Sequence, residues 1–340
     1  MLYSAKEFLR ILPLRDHVRL QAHLQLIPVL ESAEEETLIG GQAVMEGVMM
    51  RAPHSYCVAV RKPDGEIITD EHPLPRLSEK YPIFKLPLFR GVGTLGQAMA
   101  LGIRALRFSA NAALDDGKEQ ADGKKAKEIP GWVLALNLTI SFGFFIFLYK
   151  FVPLLIATAL QDWSPALGGR IVFNLIDGIV RIALFVGFLL AISRWRDIRR
   201  MFEYHGAEHR VVFAFESGKP VTVEHAQTFP TFHPRCGTSF LLVVMLVSIA
   251  LYTLLPFDSF VMRFAGRLAL LPVVAGLSYE LIRFAAKRRR SVMAKLTAPG
   301  LWLQRITTQP PSDEQTAVAI RALEGAMELE KAQGGVAAIA

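Results

Sequence analysis

The stretch WVLALNLTISFGFFIFLY, residues 132–149, contains no charged side chain and decides the class of fold. A helix needs about 20 apolar residues to cross the hydrocarbon core of a bilayer, and this apolar run continues past Lys150 to Leu160. Of the 340 residues, 52% are hydrophobic, and they are concentrated in long runs. Because buried helices of soluble proteins rarely contain uncharged runs of this length, the sequence predicts a membrane protein.

Three further apolar runs follow along the chain. The second run contains Asp177 and Arg181, the third has no charged residue, and the fourth contains Glu280 and Arg283 near its far end. Each is long enough to be interpreted as a membrane-crossing helix. The four predicted transmembrane helices lie at 132–160, 171–193, 237–257 and 268–286.

Basic residues flank the predicted spans on one side of the membrane. The net charge is +7, and lysines and arginines cluster before the first span, after the second and after the fourth. Positive residues mark the cytoplasmic side, so the four predicted spans place both termini and the 194–236 loop in the cytosol, at the cytoplasmic (inner) face of the membrane. The lipid bilayer is the expected partner. Nucleic acid is not expected, since no basic patch is interleaved with aromatic residues.

The soluble segments complete the predicted architecture. Tyr56, Val58 and Val60 alternate before the turn sequence KPDG, which predicts a β-hairpin. The fold class predicted is mainly α, a polytopic membrane protein with four transmembrane helices and a small α+β cytosolic portion containing that hairpin. The other segments are an N-terminal helical segment at 1–38, the hairpin and an interfacial helix at 39–131, a cytosolic loop at 194–236 and a C-terminal tail with an amphipathic helix at 287–340.

The sequence HGAEH, residues 205–209, is the strongest candidate for chemistry. On a helix, His205, Glu208 and His209 can all face one site. Two imidazoles four residues apart chelate Zn²⁺ well, and a nearby carboxylate can activate a water molecule; the spacing is that of the inverted zincins. The alternative interpretation is a polar segment that happens to hold two histidines.

Further ligands are available before the third predicted span. His233 and Cys236 occur in HPRCG, and their spacing suits chelation in a turn. Because the second span ends just before HGAEH and the third begins just after HPRCG, both groups return to the same membrane face. We therefore expect a divalent metal site, with zinc as the expected ion. A turn histidine and a buried thiol are the alternatives.

Other ionisable residues compete for a functional role. Glu46 is a lone acid among apolar residues, and pairing with Arg51 is its simpler interpretation. Asp177 and Arg181 lie one helical turn apart and are either a structural pair or a functional one within the membrane. Glu280 is expected to reach the membrane surface or the histidine site from below.

The segment GVGTLG, residues 91–96, matches the dinucleotide-binding fingerprint. It lacks a preceding strand, a βαβ unit and a suitably placed acidic residue. The glycines are therefore interpreted as permitting close helix contact or a bend.

Four motifs in order carry a resemblance to a known family: IGGQAVMEGVMMRAP, EYHGAEHRVVFAFE, HPRCGTSFL and APGLWLQRITTQPP. From about Ile39 to about Leu323, the chain resembles the bacterial YqhQ-like family (DUF1385), multi-pass membrane proteins of unknown function described as predicted metal-dependent enzymes. The resemblance implies functional roles at the positions His205, Glu208, His209, His233 and Cys236. It implies no substrate.

Three functions are compatible with these residues. The first is a metal-dependent hydrolase with Glu208 as the general base, acting on a peptide or a lipid-linked group at the inner leaflet or in the cytosol. The second is a membrane scaffold or assembly factor in which a metal or polar cluster only holds the 194–236 loop. The third is a small transporter with Asp177 and Arg181 lining a path, which would need a homo-oligomer.

Overall fold

We describe the chain from a computed structural model, which covers residues 39–75, 77–114, 130–233, 236–287 and 293–333. The predicted N-terminal helical segment, 1–38, lies outside the described residues. The described chain is mainly helical and contains a four-stranded antiparallel sheet in the order β1-β2-β3-β4. The strands are β1 (Gly40–Val44), β2 (Gly47–Arg51), β3 (Ser55–Arg61) and β4 (Ile67–Pro73).

The helices of the described residues are numbered in chain order. Their bounds are α1 (Leu77–Lys80), α2 (Phe89–Leu114), α3 (Gly131–Ile146), α4 (Val152–Trp163), α5 (Arg170–Ile192), α6 (Arg196–Glu216), α7 (Val223–Gln227), α8 (Gly237–Tyr252), α9 (Phe260–Ala269), α10 (Leu271–Lys287), α11 (Met293–Thr307) and α12 (Asp313–Ala332). A single π-helical turn, Phe147–Phe151, joins α3 to α4, so that Gly131–Trp163 is one continuous helical segment.

The sheet is covered on both faces. The predicted hairpin is confirmed as β3 and β4, and Tyr56, Val58 and Val60 of β3 pack against α2. Cys57 and Ala59, on the opposite face, pack against α6 and α12. Since side chains alternate between the two faces of a strand, both sets are buried, and β3 is apolar at consecutive positions.

Helix α12 covers one face of the sheet. The predicted capping box at its start is confirmed: the Gln315 N–H donates to the Ser312 hydroxyl at 3.2 Å, and the Ser312 N–H donates to the Gln315 side chain at 2.9 Å. These two bonds satisfy N–H groups that have no partner within the helix. The Gln315 amide also donates to Glu203 of α6 at 2.9 Å, which ties the two helices together.

The tight turn between β1 and β2 is held by α6. Glu46 lies in this turn with a φ of 52°, a left-handed conformation that costs a non-glycine residue about 1 kcal/mol. The predicted pairing of Glu46 with Arg51 is wrong, because Arg51 donates to Gln97 at 2.8 Å. Arg200 instead donates to both oxygens of the Glu46 carboxylate, and the Tyr204 hydroxyl donates to it at 3.2 Å.

Two helical segments of the described chain are long and apolar enough to cross a membrane, Gly131–Trp163 and Arg170–Ile192. A third candidate is the pair α9 and α10, which is bent by 49° and would count as one broken span. The fourth predicted span, 268–286, is therefore not one straight helix, since α9 ends at Ala269 within it. Helix α8, at the third predicted span, is apolar but has only 16 residues.

A buried charge cluster joins three apolar helices. The predicted ion pair of Asp177 and Arg181 on α5 is present, and Arg267 of α9 donates to the second Asp177 oxygen at 2.6 Å. Arg267 also donates to Asn174 at 2.9 Å, and Arg181 donates to Ser248 of α8 at 2.6 Å. Because unpaired charges are costly in an apolar interior, these bonds stabilise the packing of α5, α8 and α9.

Helix α2 lies against α10. Arg90 donates to Glu280 at 2.6 Å through Nε, so the Glu280 carboxylate pairs with α2 and is not part of the histidine cluster. A Cβ atom at Gly91 would lie 2.8 Å from the Cβ atom of Tyr279. The prediction that the glycines of GVGTLG permit close helix contact is thus confirmed at Gly91.

Gly206 allows α6 to contact the segment after α11. The Gln309 N–H donates to the Phe202 carbonyl at 2.9 Å, and a Cβ atom at Gly206 would lie 3.2 Å from the Gln309 carbonyl carbon and closer still to its oxygen. We expect Gly206→Ala to lower the free energy of unfolding by about 1–3 kcal/mol, because this backbone cannot yield without breaking the bond. Thermal unfolding in detergent measures the loss.

Gly187→Ala is the matched control for this substitution. Gly187 also lies within a helix, α5, but a Cβ atom there would meet no described atom within 4 Å. Its midpoint of unfolding should stay close to that of the parent protein. Equal midpoints for Gly206→Ala and Gly187→Ala would contradict the role assigned to Gly206.

Candidate metal centre

Helix α6 positions three of the sequence-predicted site residues. His205, Glu208 and His209 share one face of this helix, and the two imidazole ring centroids are 4.4 Å apart. Glu208 and His209 are buried, whereas His205 is partly exposed. The three side chains therefore share one face of the helix, as the HGAEH spacing predicts.

Cys236 reaches the same place from α8. Its sulfur lies 3.2 Å from His205 Nε2, and one ligand atom each from His205, His209 and Cys236 lie within 4.8 Å of one another. Cys236 is the N-cap of α8, where the Thr238 N–H donates to its sulfur at 3.5 Å. The start of a helix stabilises negative charge, which favours the thiolate.

Backbone carbonyls fix the orientation of both imidazoles. His205 Nδ1 donates to the Thr307 carbonyl at 2.7 Å, and His209 Nδ1 donates to the Thr231 carbonyl. A carbonyl oxygen only accepts hydrogen bonds, so a neutral ring carries its proton on Nδ1 and has a lone pair on Nε2. This arrangement, with the second ring nitrogen bonded to a carbonyl, is typical of histidines that bind metals.

The donor atoms fit a divalent ion. His209 Nε2 is buried and makes no hydrogen bond of normal geometry among the described residues, although the Cys236 sulfur lies close enough to act on the imidazole. Two imidazole nitrogens and one thiolate form a donor set that zinc accepts. His205, His209 and Cys236 would supply three ligands to such an ion, fewer than the four protein ligands of structural zinc sites.

Electrostatics keep the candidate ligands in metal-binding forms. Burial would raise the pKa of the Cys236 thiol, but the His209 imidazole and the Thr238 hydroxyl and N–H outweigh it and lower that pKa. Burial lowers the pKa of the His209 imidazole, which favours its neutral form. Metals bind thiolates and neutral imidazoles, so both shifts favour coordination.

Glu208 lies beside the three ligands, beneath strand β1. Burial raises the pKa of its carboxyl from 4.5 to about 7, and the neighbouring Cys236 acts in the same direction, although His205 and the Gly41 N–H oppose the shift. A Cβ atom at Gly41 would lie 2.8 Å from the Glu208 side chain, so only glycine permits this approach. Sequence reasoning did not predict a role for Gly41, whose only signal was its place in the motif IGGQAVMEGVMMRAP.

His233 lies next to the three ligands but does not join them. Its ring centroid is 5.7 Å from that of His209, and its Nε2 lies 3.5 Å from a Glu216 oxygen. Burial lowers the pKa of the His233 imidazole to about 4. The Gln304 side chain accepts from the His233 N–H at 2.7 Å and donates to its carbonyl at 2.8 Å, which fixes the loop that leads to Cys236.

The remaining sequence candidates lie elsewhere. Glu46 is bound at the β1–β2 turn, Asp177 and Arg181 belong to the buried charge cluster, and Glu280 pairs with α2. Sequence reasoning missed the residues that orient the ligands, because backbone carbonyls and a side-chain amide give no signal in spacing. Gln304 and Thr307 lie within the motif APGLWLQRITTQPP, whereas Thr231 precedes HPRCGTSFL and lies in none of the four motifs.

The site opens into a cleft of about 620 Å³. His205, Glu208, His209 and Cys236 line one part of it, and its other walls include residues 39–43 and apolar side chains of α5, α6 and α8. This volume lies in the range of clefts that bind small molecules. A molecule bound in this cleft would lie beside the three candidate ligands and the Glu208 carboxyl.

The chain is similar to proteins of unknown function. Residues 86–329 match the family described as "Protein of unknown function (DUF1385)". The chain is 35% identical over 297 residues to the uncharacterized protein YqhQ of Bacillus subtilis (strain 168), an alignment that covers 86% of this chain and 92% of that protein. No solved structure matches the chain.

The raised pKa of Glu208 predicts how the stability of the chelator-treated protein depends on pH. Between pH 4.5 and about 7 the folded protein retains a proton that the unfolded chain releases, so the free energy of unfolding falls as pH rises through this window. Glu208→Gln has no such proton to lose. Its free energy of unfolding should therefore exceed that of the parent by up to about 3 kcal/mol above the window and differ little from it below the window. Unfolding in detergent with a chelator, followed across this pH range, measures the difference.

Glu224→Gln is the control for this pH dependence, since Glu224 is exposed on α7. The free energy of unfolding of this variant should change with pH as that of the parent does. The interpretation of Glu208 is wrong when the parent and Glu208→Gln show the same change of stability with pH.

Proposed function

The chain belongs to the DUF1385 family, together with YqhQ, and from this premise we propose that it is a multi-pass cytoplasmic-membrane hydrolase that uses one divalent metal, with zinc as the expected ion. One observation carries the proposal: His205, His209 and Cys236 converge, with both Nδ1 atoms bonded to backbone carbonyls. This geometry leaves both Nε2 atoms available as ligands.

Glu208 has the position of a general base. An ion held by the three ligands supplies Lewis acidity and acidifies a water molecule. The Glu208 carboxylate, oriented by the Gly41 N–H, takes the proton of the attacking water and returns it to the leaving group. Burial favours the protonated form of this carboxyl and a bound cation would favour the ionised form, so the group is suited both to accept and to return a proton.

The proposed membrane topology has four spans with both termini in the cytosol. Gly131–Trp163 and Arg170–Ile192 supply two of them, and we assign the others to α8 and to the bent pair of α9 and α10. Basic residues after α5 support a cytosolic position for α6. The metal centre then lies where α6 leaves the membrane surface and α8 enters the bilayer.

A scaffold or assembly factor is the second candidate function. The ligands and their carbonyl partners join α6, α8, the loop at Thr231 and the end of α11, so a bound metal would also hold these elements together. In that case the ion is structural and Glu208 performs no chemistry. The same residues bind the metal in both functions, and only the role of Glu208 differs.

Elemental analysis of the protein purified in detergent tests the metal centre. We expect about one zinc or similar ion per chain, and we expect His205→Ala and His209→Ala to abolish it, because each removes one of three ligands. His225→Ala is the control, since His225 lies outside the ligand cluster and contacts Ser217 at 3.2 Å. Metal content that is equal in the parent and in both ligand variants would exclude the proposed site.

Glu208→Gln separates the enzyme from the scaffold. The amide keeps the shape of the side chain, so metal content and fold should stay as in the parent protein. Cells that depend on the variant chain should lose the function completely when Glu208 acts as the base. Full function of Glu208→Gln, measured by complementation of a deletion strain, would favour the scaffold and contradict the hydrolase.

A further inference from the structure

The cleft at the metal centre indicates a class of substrate. We propose that it binds the hydrocarbon chain of an anionic membrane lipid, with the lipid headgroup at His205, His209 and Cys236. Only the reaction of such a lipid rests on the proposed function. Binding of the chain is argued from the walls of the cleft and from its position relative to the candidate membrane spans.

The walls of the cleft are mainly apolar away from the ligands. Ile198, Met201 and Phe202 of α6 form one side, and Ile192 of α5 and Leu241 of α8 contribute further apolar surface. Residues 39–43 form a further wall, in which Gln42 has the only polar side chain. A cleft with one polar part and a long apolar part fits an amphiphile, because only the apolar part of the ligand gains by leaving water.

The apolar part of the cleft continues into the candidate membrane region. Ile192 is the last residue of α5, which is long and apolar enough to span a bilayer, and Leu241 lies near the start of the apolar helix α8. The cleft therefore connects the metal centre with the level at which these helices would meet lipid. A lipid chain can enter it without crossing water.

The junction of α5 and α6 has the features of a headgroup region. Arg194, Trp195 and Arg196 lie there, and Trp195 is 66% exposed. Tryptophan is enriched at the membrane–water interface, and arginines near the cytoplasmic surface attract anionic lipids. These residues mark the membrane–water interface next to Ile192 of the cleft lining, where they would attract the anionic lipids from which one enters the cleft.

A peptide fits the cleft less well than a lipid chain. An extended peptide would add to β1, the edge strand on this side of the described sheet, but the Gly41 N–H of β1 is already bonded to Glu208 within the cleft. A helical peptide has a diameter of about 10–12 Å, so the cleft volume holds little more than one of its turns. A single hydrocarbon chain is thinner and flexible, and it can follow the apolar wall.

Photolabelling of the zinc-loaded full-length protein tests this inference. The probe is a phosphatidylglycerol with a photoactivatable group in its acyl chain, mixed into phosphatidylcholine vesicles that contain the protein. Mass spectrometry of peptides then locates the label. We expect label on Met201 and Phe202, which belong to α6 and not to a candidate membrane span, so lipid around the spans does not account for it.

A substitution that fills the cleft gives the decisive comparison. Leu241→Trp places a large ring in the cleft away from the metal ligands and should reduce the label on α6 by about tenfold, the effect of overpacking a binding site. Leu246→Trp is the matched control, because Leu246 lies on the same helix, is 40% exposed and does not line the cleft. It should leave the label on α6 unchanged.

The zinc content of each sample separates this inference from the proposed function. Label on α6 that falls in Leu241→Trp while zinc is retained supports the lipid site. Three results would overturn it. The label is confined to the candidate spans, or it is equal in Leu241→Trp and the parent, or a photoactivatable transmembrane peptide used in place of the lipid also labels α6. Label on α6 in a parent protein without zinc supports the lipid site and overturns the proposed metal-dependent reaction.

Discussion

Two hydrogen bonds, from His205 Nδ1 to the Thr307 carbonyl and from His209 Nδ1 to the Thr231 carbonyl, determine what the site can do. Each is worth about 0.5–1.5 kcal/mol of stability, but their larger effect is to select one tautomer and one ring orientation. His205 Nε2 then lies 3.2 Å from the Cys236 sulfur, and His209 Nε2 is left without a hydrogen bond of normal geometry among the described residues. The bonds require α11 and the loop before α8 to lie against α6, so the ligand geometry depends on the packing of the fold.

Periodic and local signals in the sequence predicted much of the fold. The alternation of Tyr56, Val58 and Val60 predicted the hairpin, and the spacing of Ser312 and Gln315 predicted the cap of α12. Strands β1 and β2 gave no such signal, because glycine and methionine dominate their sequence and the turn between them needs Arg200, a residue distant in the chain. The bend between α9 and α10 was missed for a different reason, because hydropathy measures the length of an apolar segment and not its direction.

The site was predictable where its residues are close in sequence. The HGAEH spacing places His205, Glu208 and His209 on one face of α6, and any regular helix would do so. Whether Cys236 or His233 approaches them depends on the path of the loop, which Gln304 fixes from another helix. The two residues also have different surroundings, because Cys236, a candidate ligand, caps α8 beside His205 whereas His233 is buried near Glu216.

X-ray absorption at the zinc edge of the purified protein tests the central claim most directly, since it reports the atoms bound to the metal. The account predicts one sulfur at about 2.3 Å and nitrogen or oxygen atoms at about 2.0–2.1 Å, with the sulfur contribution lost in Cys236→Ser. Bound zinc with no sulfur neighbour, or a sulfur neighbour that persists in Cys236→Ser, would contradict it.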